Sequence, residues 1–350
     1  MTYKETLFFI GKCLTISHEK ENLKIISEKV ISKQVDWDSV VKVSTQHYVF
    51  PALYCNLKRA KLLSYLPEEL VAYMKHITNL NRDRNLEIIS QAKKINALLV
   101  NNKITPIFLK GTGFLLQNFY DDPAERMVGD IDFLVPDKDF LKTIELIEND
   151  GDKKTTDKLS SPLIGEHYPR LIKENEIAAV EIHKNMLKRK GASYFNYNRI
   201  SKSTIHKNDI SFLGLQDQLI LTILAKQYND DGRFHKTVTL RNSYDVYLLS
   251  KQIKSLPAIT GYKEFFTILN SYLAYSSLTL NTQVIDFKNT RKVKFSSTIL
   301  LTKLKYPFYR RLHNLFWKVI IYSNLKFLGI IRFLINPQFR KYYIKKQLGS

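Results

Sequence analysis

The spacing of apolar positions changes twice along the chain. Over the first hundred residues it is helical. LNRDRNLEIISQAKKINALLVNN sets Leu86, Ile89, Ala92, Ile95 and Leu99 along one stripe. DWDSVVKVSTQHYVFPALYCNL predicts a helix interrupted near Pro51. After Asn101-Asn102 the period shortens. ITPIFLKG is a short apolar run that stops on glycine, the pattern of a strand and a turn. TGFLLQNFY predicts a helix. GDIDFLVP alternates like a strand, and Pro136 ends it. KDFLKTIELIEND is an amphipathic helix, and HYPRLIKENEIAAVEIHKNML reads as two strands around a polar turn at Lys173–Glu176. From Gly214 the helical period returns through QDQLILTILAKQY and TLRNSYDVYLLSKQI. The pattern predicts an α+β protein in four parts: a helical region over 1–100, a mixed α/β core over 101–212, a helical region over 213–285 and a tail over 286–350.

Composition narrows the class. With 44% apolar residues, the 350-residue chain has ample material for a core. Its two cysteines, Cys13 and Cys55, cannot build a disulfide framework or a cysteine-rich metal site. The first residues, MTYKETLFFIGKCLTISHEK, carry a short apolar patch and no small-residue cleavage site, which predicts a cytoplasmic protein. The net charge of +21 is uneven. Residues 288–350 hold fifteen Lys or Arg and no acid, so the preceding 287 carry only +6.

The candidate chemistry begins at RMVGDIDFLV. Asp130 and Asp132 stand two apart, so a strand would project both from one face, with Ile131 and Phe133 on the other. An unpaired buried carboxylate costs several kcal/mol. A hard cation such as Mg²⁺ or Mn²⁺ would relieve the repulsion between them. The plain alternative is an edge strand with its acids in water. In LKGTGFLL a strand runs through Lys110, Gly111 and Thr112 into a helix. Glycine lets a phosphate near the backbone and a helix start offers N–H groups, although an ordinary turn reads the same way. In AAVEIHKNM, Glu181 interrupts an apolar strand and shares its face with His183, which on its own reads as a packed or hydrogen-bonding histidine.

Taken together, LKGTGFLLQNFYDDPAERMVGDIDFLV and VEIH resemble the bacterial uncharacterised nucleotidyltransferase family of the polymerase-β-like superfamily. The resemblance covers roughly residues 35–250. DWDSVVKVSTQHYVFPALY and LRNSYDVYLL echo the family's flanking helices more weakly. It implies a polymerase-β-like core, a small mixed sheet with flanking helices. It also implies transfer of a nucleoside monophosphate from an NTP, ATP by preference, to a hydroxyl by two-metal in-line displacement. Asp130 and Asp132 would hold two Mg²⁺ or Mn²⁺ ions. Glu181 would hold the ion that activates the acceptor and would accept its proton. Gly111 and Thr112 would face the β- and γ-phosphates. The chain departs from the pattern in three ways. Thr112 replaces a serine, residues 119–129 lengthen the gap before D-x-D, and Lys226-Gln227 stand where a histidine is expected.

To that set the residues themselves add Lys110 and Arg126. A guanidinium four positions before Asp130 suits a triphosphate, unless it pairs with Asp121 or Asp122. Arg241 and Asp245, one helical turn apart, read as an ion pair. Two other functions stay open: a non-catalytic nucleotide- or RNA-binding protein, and a D-x-D sugar-nucleotide glycosyltransferase. Aspartyl phosphatases fit poorly, because their D-x-D follows the apolar run. The chain has no P-loop or dinucleotide motif. The acceptor class is open among a small molecule, a peptide, a glycan precursor, a protein and RNA.

The tail predicts one helix over about 309–335, with Arg310, Arg311, Asn314, Lys318, Lys326 and Arg332 on one side and Phe316, Ile320, Phe327, Ile331 and Leu334 on the other. Charges break every run short of a membrane span. Three readings follow: packing on the core with the basic side outward, an anionic membrane surface at its inner face, or a nucleic acid.

Overall fold

Five helices precede the first strand, as the helical stripe predicts: α1 (Tyr3–Cys13), α2 (Lys20–Ile31), α3 (Trp37–Gln46), α4 (Phe50–Arg59) and α5 (Glu68–Asn101). The structure is a computed structural model and describes residues 1–155, 168–253, 263–337, 339–340 and 343–344. The break expected near Pro51 lies at residues 47–49 instead. Pro51 sits in the first turn of α4, where its missing N–H leaves no helical bond unmade. The chain turns at Tyr48, whose φ is +56°.

Helix α5 has 34 residues and is the spine of the fold. Its buried amides are spaced to fasten it to the sheet region. Asn81 donates to the Ala124 carbonyl, Asn85 to those of Pro123 and Arg126, Gln91 to Ala178 and Asn96 to Asp209. Each bond satisfies a polar group that burial would otherwise penalise.

The mixed sheet contains, among the described residues, β1 (Ile107–Phe108), β2 (Asp130–Leu134), β3 (Lys153–Lys154), β4 (Leu171–Ile172), β5 (Ala179–His183), β6 (Ile205–Lys207) and β7 (Ile210–Phe212), ordered β3-β4-β5-β2-β1-β7-β6. β2 runs parallel to β5 and β1 parallel to β7; the other neighbours are antiparallel. Helix α7 (Phe140–Asn149) falls where the pattern predicts, but α6 (Lys110–Leu116) starts two residues before TGFLLQNFY and ends four residues short of it, taking the expected Gly turn into its first turn. The β6–β7 hairpin is absent from the sequence reading. It closes through Asn208-Asp209, both left-handed at φ +50° and +60°, as a two-residue hairpin turn requires.

Beyond the short helix α8 (Tyr197–Ile200) come α9 (Leu215–Leu224), α10 (Gly232–His235), α11 (Leu240–Gln252), α12 (Phe266–Leu280), α13 (Arg291–Lys305) and α14 (Pro307–Ile335). Helices from both ends of the chain share one core, in which Leu7, Ile10, Leu53, Leu219, Tyr247 and Leu273 are buried. α1 crosses α12 so closely that a Cβ on Gly11 would overlap the Thr279 carbonyl. A second core, with Ile88, Ile131, Phe133, Ile144, Val180 and Ile182, lies between α5, α7 and the sheet.

The tail reverses its first expected arrangement. Its polar side meets the body: Arg310 lies 5.1 Å from the Tyr3 ring, and Trp317 stacks on Phe234 at 4.9 Å. Phe316, Phe327 and Leu334, expected to point inward, are exposed. The aromatic partner that α10 offers at Phe234 selects Trp317, so the greasier side is left outside. No described helix is long and apolar enough to cross a membrane. Residues 345–350 of the tail lie outside the described residues.

Candidate active site

The register of two strands builds the site. β2 and β5 pair in parallel with Asp130 opposite Ala179, Asp132 opposite Glu181 and Leu134 opposite His183. Alternation then puts Asp130, Asp132, Glu181 and His183 on one face. The other face carries Ile131, Phe133, Val180 and Ile182, all fully buried in the sheet core. Hydrophobic burial of that second face locks the register, because a slip of one residue would turn the acids into the core.

Cationic side chains compensate the acids. Lys110 Nζ lies 2.6 Å from Asp132 Oδ1 and 3.9 Å from Glu181 Oε2. Arg170 reaches Asp130 Oδ2 at 2.8 Å through Nη2 and Glu181 Oε1 at 2.6 Å through Nε. His183 Nε2 lies 2.8 Å from Asp132 Oδ1 and 3.5 Å from Glu181 Oε2. Burial and the neighbouring Glu181 raise the Asp130 pKa, against the pull of Arg170. Burial would raise Glu181 too, but hydrogen bonds from His183 and Arg170 hold it well below the usual carboxylate range. Burial and Lys110 oppose the charge on His183, yet its bonds to Asp132 and Glu181 raise its pKa. His183 is thus the buried, hydrogen-bonded histidine that the sequence allows, and its partners are the acids of the cluster.

Arg170 escaped the sequence reading, although a signal was present. A hairpin turning at Lys173–Glu176 puts residue 170 on the Glu181 face, and Leu171 indeed pairs with Val180.

The expected Gly turn starts α6. Lys110 itself has φ +49°, a left-handed conformation that favours glycine over lysine. The bonds at its Nζ help to hold it there. Gly111 lines the cleft in front of the acids. Thr112 is fully buried, and its hydroxyl donates to the Asp130 carbonyl at 2.8 Å. A Cβ on Gly113 would come within 2.9 Å of the Phe108 carbonyl, so the helix can lie this close to β1 only with glycine.

Residues 119–129, the long gap before D-x-D, are clamped by helices. Arg59 grips the buried Glu125 through two bonds, Arg82 grips Asp122 in the same way, and Tyr244 donates to Glu125 at 2.6 Å. Arg126 pairs with neither expected acid. It is buried against Asp245, 3.0 Å away, which also accepts from Tyr120 at 2.7 Å. Asp245 therefore binds Arg126 where a pair with Arg241 was expected. Arg241 lies over the Tyr48 ring at 5.0 Å, and its Nε has no hydrogen-bond partner among the described residues. Burial and the charge of Arg126 push the Arg241 pKa down to about 10, the mark of a cation short of counter-charge. Arg126, Arg241 and Tyr48 line the same cleft of about 550 Å³ as the acids.

Asp132, Glu181 and His183 each offer a ligand atom, all within 4.8 Å of one another. Two carboxylates and an imidazole can hold a divalent metal. The cations now on these oxygens sit on long, partly exposed side chains, Lys110 and Arg170, which can swing aside. The residues fit a metal site.

A model of the family described as uncharacterised nucleotidyltransferase matches residues 33–258. No curated protein and no solved structure matches the chain.

Proposed function

The chain belongs to the uncharacterised nucleotidyltransferase family, whose match spans more than half of it, and we propose on that premise that it moves a nucleoside monophosphate from an NTP to an acceptor hydroxyl, which attacks the α-phosphorus as pyrophosphate leaves. The observation that carries this reading is the alignment of Asp132 with Glu181 on adjacent strands, with Asp130 on the same face and the cleft in front of them. It is the arrangement that a polymerase-β-like core would need. Asp130, Asp132 and Glu181 would hold two divalent ions, Mg²⁺ or Mn²⁺, with His183 beside them. Such ions, when bound, neutralise the attacking and leaving oxygens of an in-line displacement.

The chain's own groups divide the remaining work. Lys110 and Arg170, released from the carboxylates, turn their charge toward the triphosphate. Glu181, freed of Arg170, accepts the acceptor's proton at Oε1. Gly111, which lines the cleft, offers its backbone N–H, while Thr112 is buried with its hydroxyl committed to Asp130 and positions the turn rather than touching the phosphates. Arg126 is neutralised by Asp245, so the phosphate contact first assigned to it passes to the under-paired Arg241.

Calorimetry with each NTP, with and without Mg²⁺, tests the reading. Binding should need Mg²⁺ and vanish in Asp130→Ala/Asp132→Ala. Arg241→Met should weaken it about tenfold, the loss of a charge-assisted bond worth about 1.5 kcal/mol. A folded wild type that binds no NTP would sink the proposal and favour the RNA-binding reading, and one that prefers an NDP-sugar would sink it in favour of the glycosyltransferase reading.

A further inference from the structure

The exposed side of α14 belongs to none of this chemistry. Arg310 and Trp317 seat the helix on the body, and Asn314 hydrogen-bonds His235 from the same side. Half a turn away, Phe308, Leu312, Leu315, Val319 and Tyr322 follow at alternating spacings of four and three, which aligns them along one face. Each of them leaves half or more of its surface in water. Such a continuous apolar stripe is uncommon on a protein with no partner for it. Arg311 and Lys318 run along one edge of it, and Lys326 ends its line one step past Tyr322; all three are exposed. The helix contains five Lys or Arg and no acid.

We propose that α14 lies in the surface of an anionic lipid membrane, its apolar stripe among the acyl chains and Arg311, Lys318 and Lys326 on the lipid phosphates. Charge decides between the available occupants. A second copy of the helix would bring like charges together, with no acid on either side to relieve them. A nucleic acid would satisfy the lysines but leave leucine and valine in water. An anionic bilayer meets both demands, and long basic side chains reach the headgroups while their stems stay with the apolar stripe.

Co-sedimentation of the full chain with vesicles tests this. The chain should pellet with phosphatidylcholine vesicles containing phosphatidylglycerol, pellet poorly with phosphatidylcholine alone, and be released by salt. Lys318→Gln/Lys326→Gln should weaken partitioning about twenty-five-fold, at about fivefold per charge. Leu315→Glu/Val319→Glu should abolish it. The wild-type comparison of the two vesicles decides by itself if a variant fails to fold. The proposal fails if the wild type ignores both vesicles or binds both equally. It fails too if the chain forms a dimer that Leu315→Glu/Val319→Glu dissociates, or binds a single-stranded oligonucleotide more tightly than the anionic vesicle at equal salt.

Discussion

Asp245 is fully buried and stands between two guanidiniums. Arg126 holds it at 3.0 Å and Tyr120 donates to it, while Arg241 draws on the same charge without a direct bond. Removing one partner of a buried ion pair leaves the other uncompensated, which costs about 3–5 kcal/mol. Asp245→Asn should therefore lower the unfolding free energy, read by denaturant titration, by an amount in that range. Adding Arg241→Met to Asp245→Asn should recover part of the loss, because it removes the surplus positive charge. A loss below about 1 kcal/mol for Asp245→Asn would show that water reaches the pair and screens it.

At the scale of elements, α6 is the least self-sufficient part of the site. Seven residues are too few for a helix to hold in water on its own. It is kept by the Thr112 bond to Asp130, by the close approach at Gly113 and by Gln218, which donates to the Lys110 carbonyl at 3.3 Å. Thr112→Val keeps the volume and removes the donor. It should cost about 1–2 kcal/mol in unfolding and should also weaken NTP binding, because α6 then loses its tie to β2. Thr112→Ser should keep most of the affinity. Equal NTP affinity in wild type and Thr112→Val would mean that the bond does not position the turn. The helix was plain in TGFLLQNFY, but its dependence on β2 was not, since that bond joins residues eighteen apart.

Across the whole molecule, His47 joins the N-terminal helices to α11. It ends α3, bonds the Tyr3 hydroxyl of α1 at 3.0 Å through Nε2, and accepts from the Leu240 N–H of α11 at 3.2 Å through Nδ1. Burial pushes its pKa from 6.5 down to about 4. The folded state therefore resists a proton that the unfolded chain takes up. Stability should be full above pH 6.5, fall as the pH drops below it, and stop falling from this source near 4. The loss between pH 7 and 5 should be about 2 kcal/mol by linkage. His47→Gln should be less stable at pH 7 and flatter between pH 5 and 7, as read by urea unfolding. A wild type as flat as the variant would mean that His47 stays charged or solvated.

The residues in order determined the local periods, and with them the helices, the strand bearing Asp130 and Asp132, and the candidate acids themselves. Each of these follows from neighbours a few positions apart, where spacing alone decides which side chains share a face. Tertiary structure decided what neutralises those acids. Arg170 meets Glu181 only because β4 pairs with β5, and Lys110 meets Asp132 only because α6 packs on β2. It also moved Asp245 to Arg126 and left Arg241 short of counter-charge. Partners of a buried charge come from wherever the chain happens to return, and local pattern carries no record of that distance. The tail shows the same limit. Its amphipathic pattern was legible, but which side would meet the body depended on Phe234, far away in sequence.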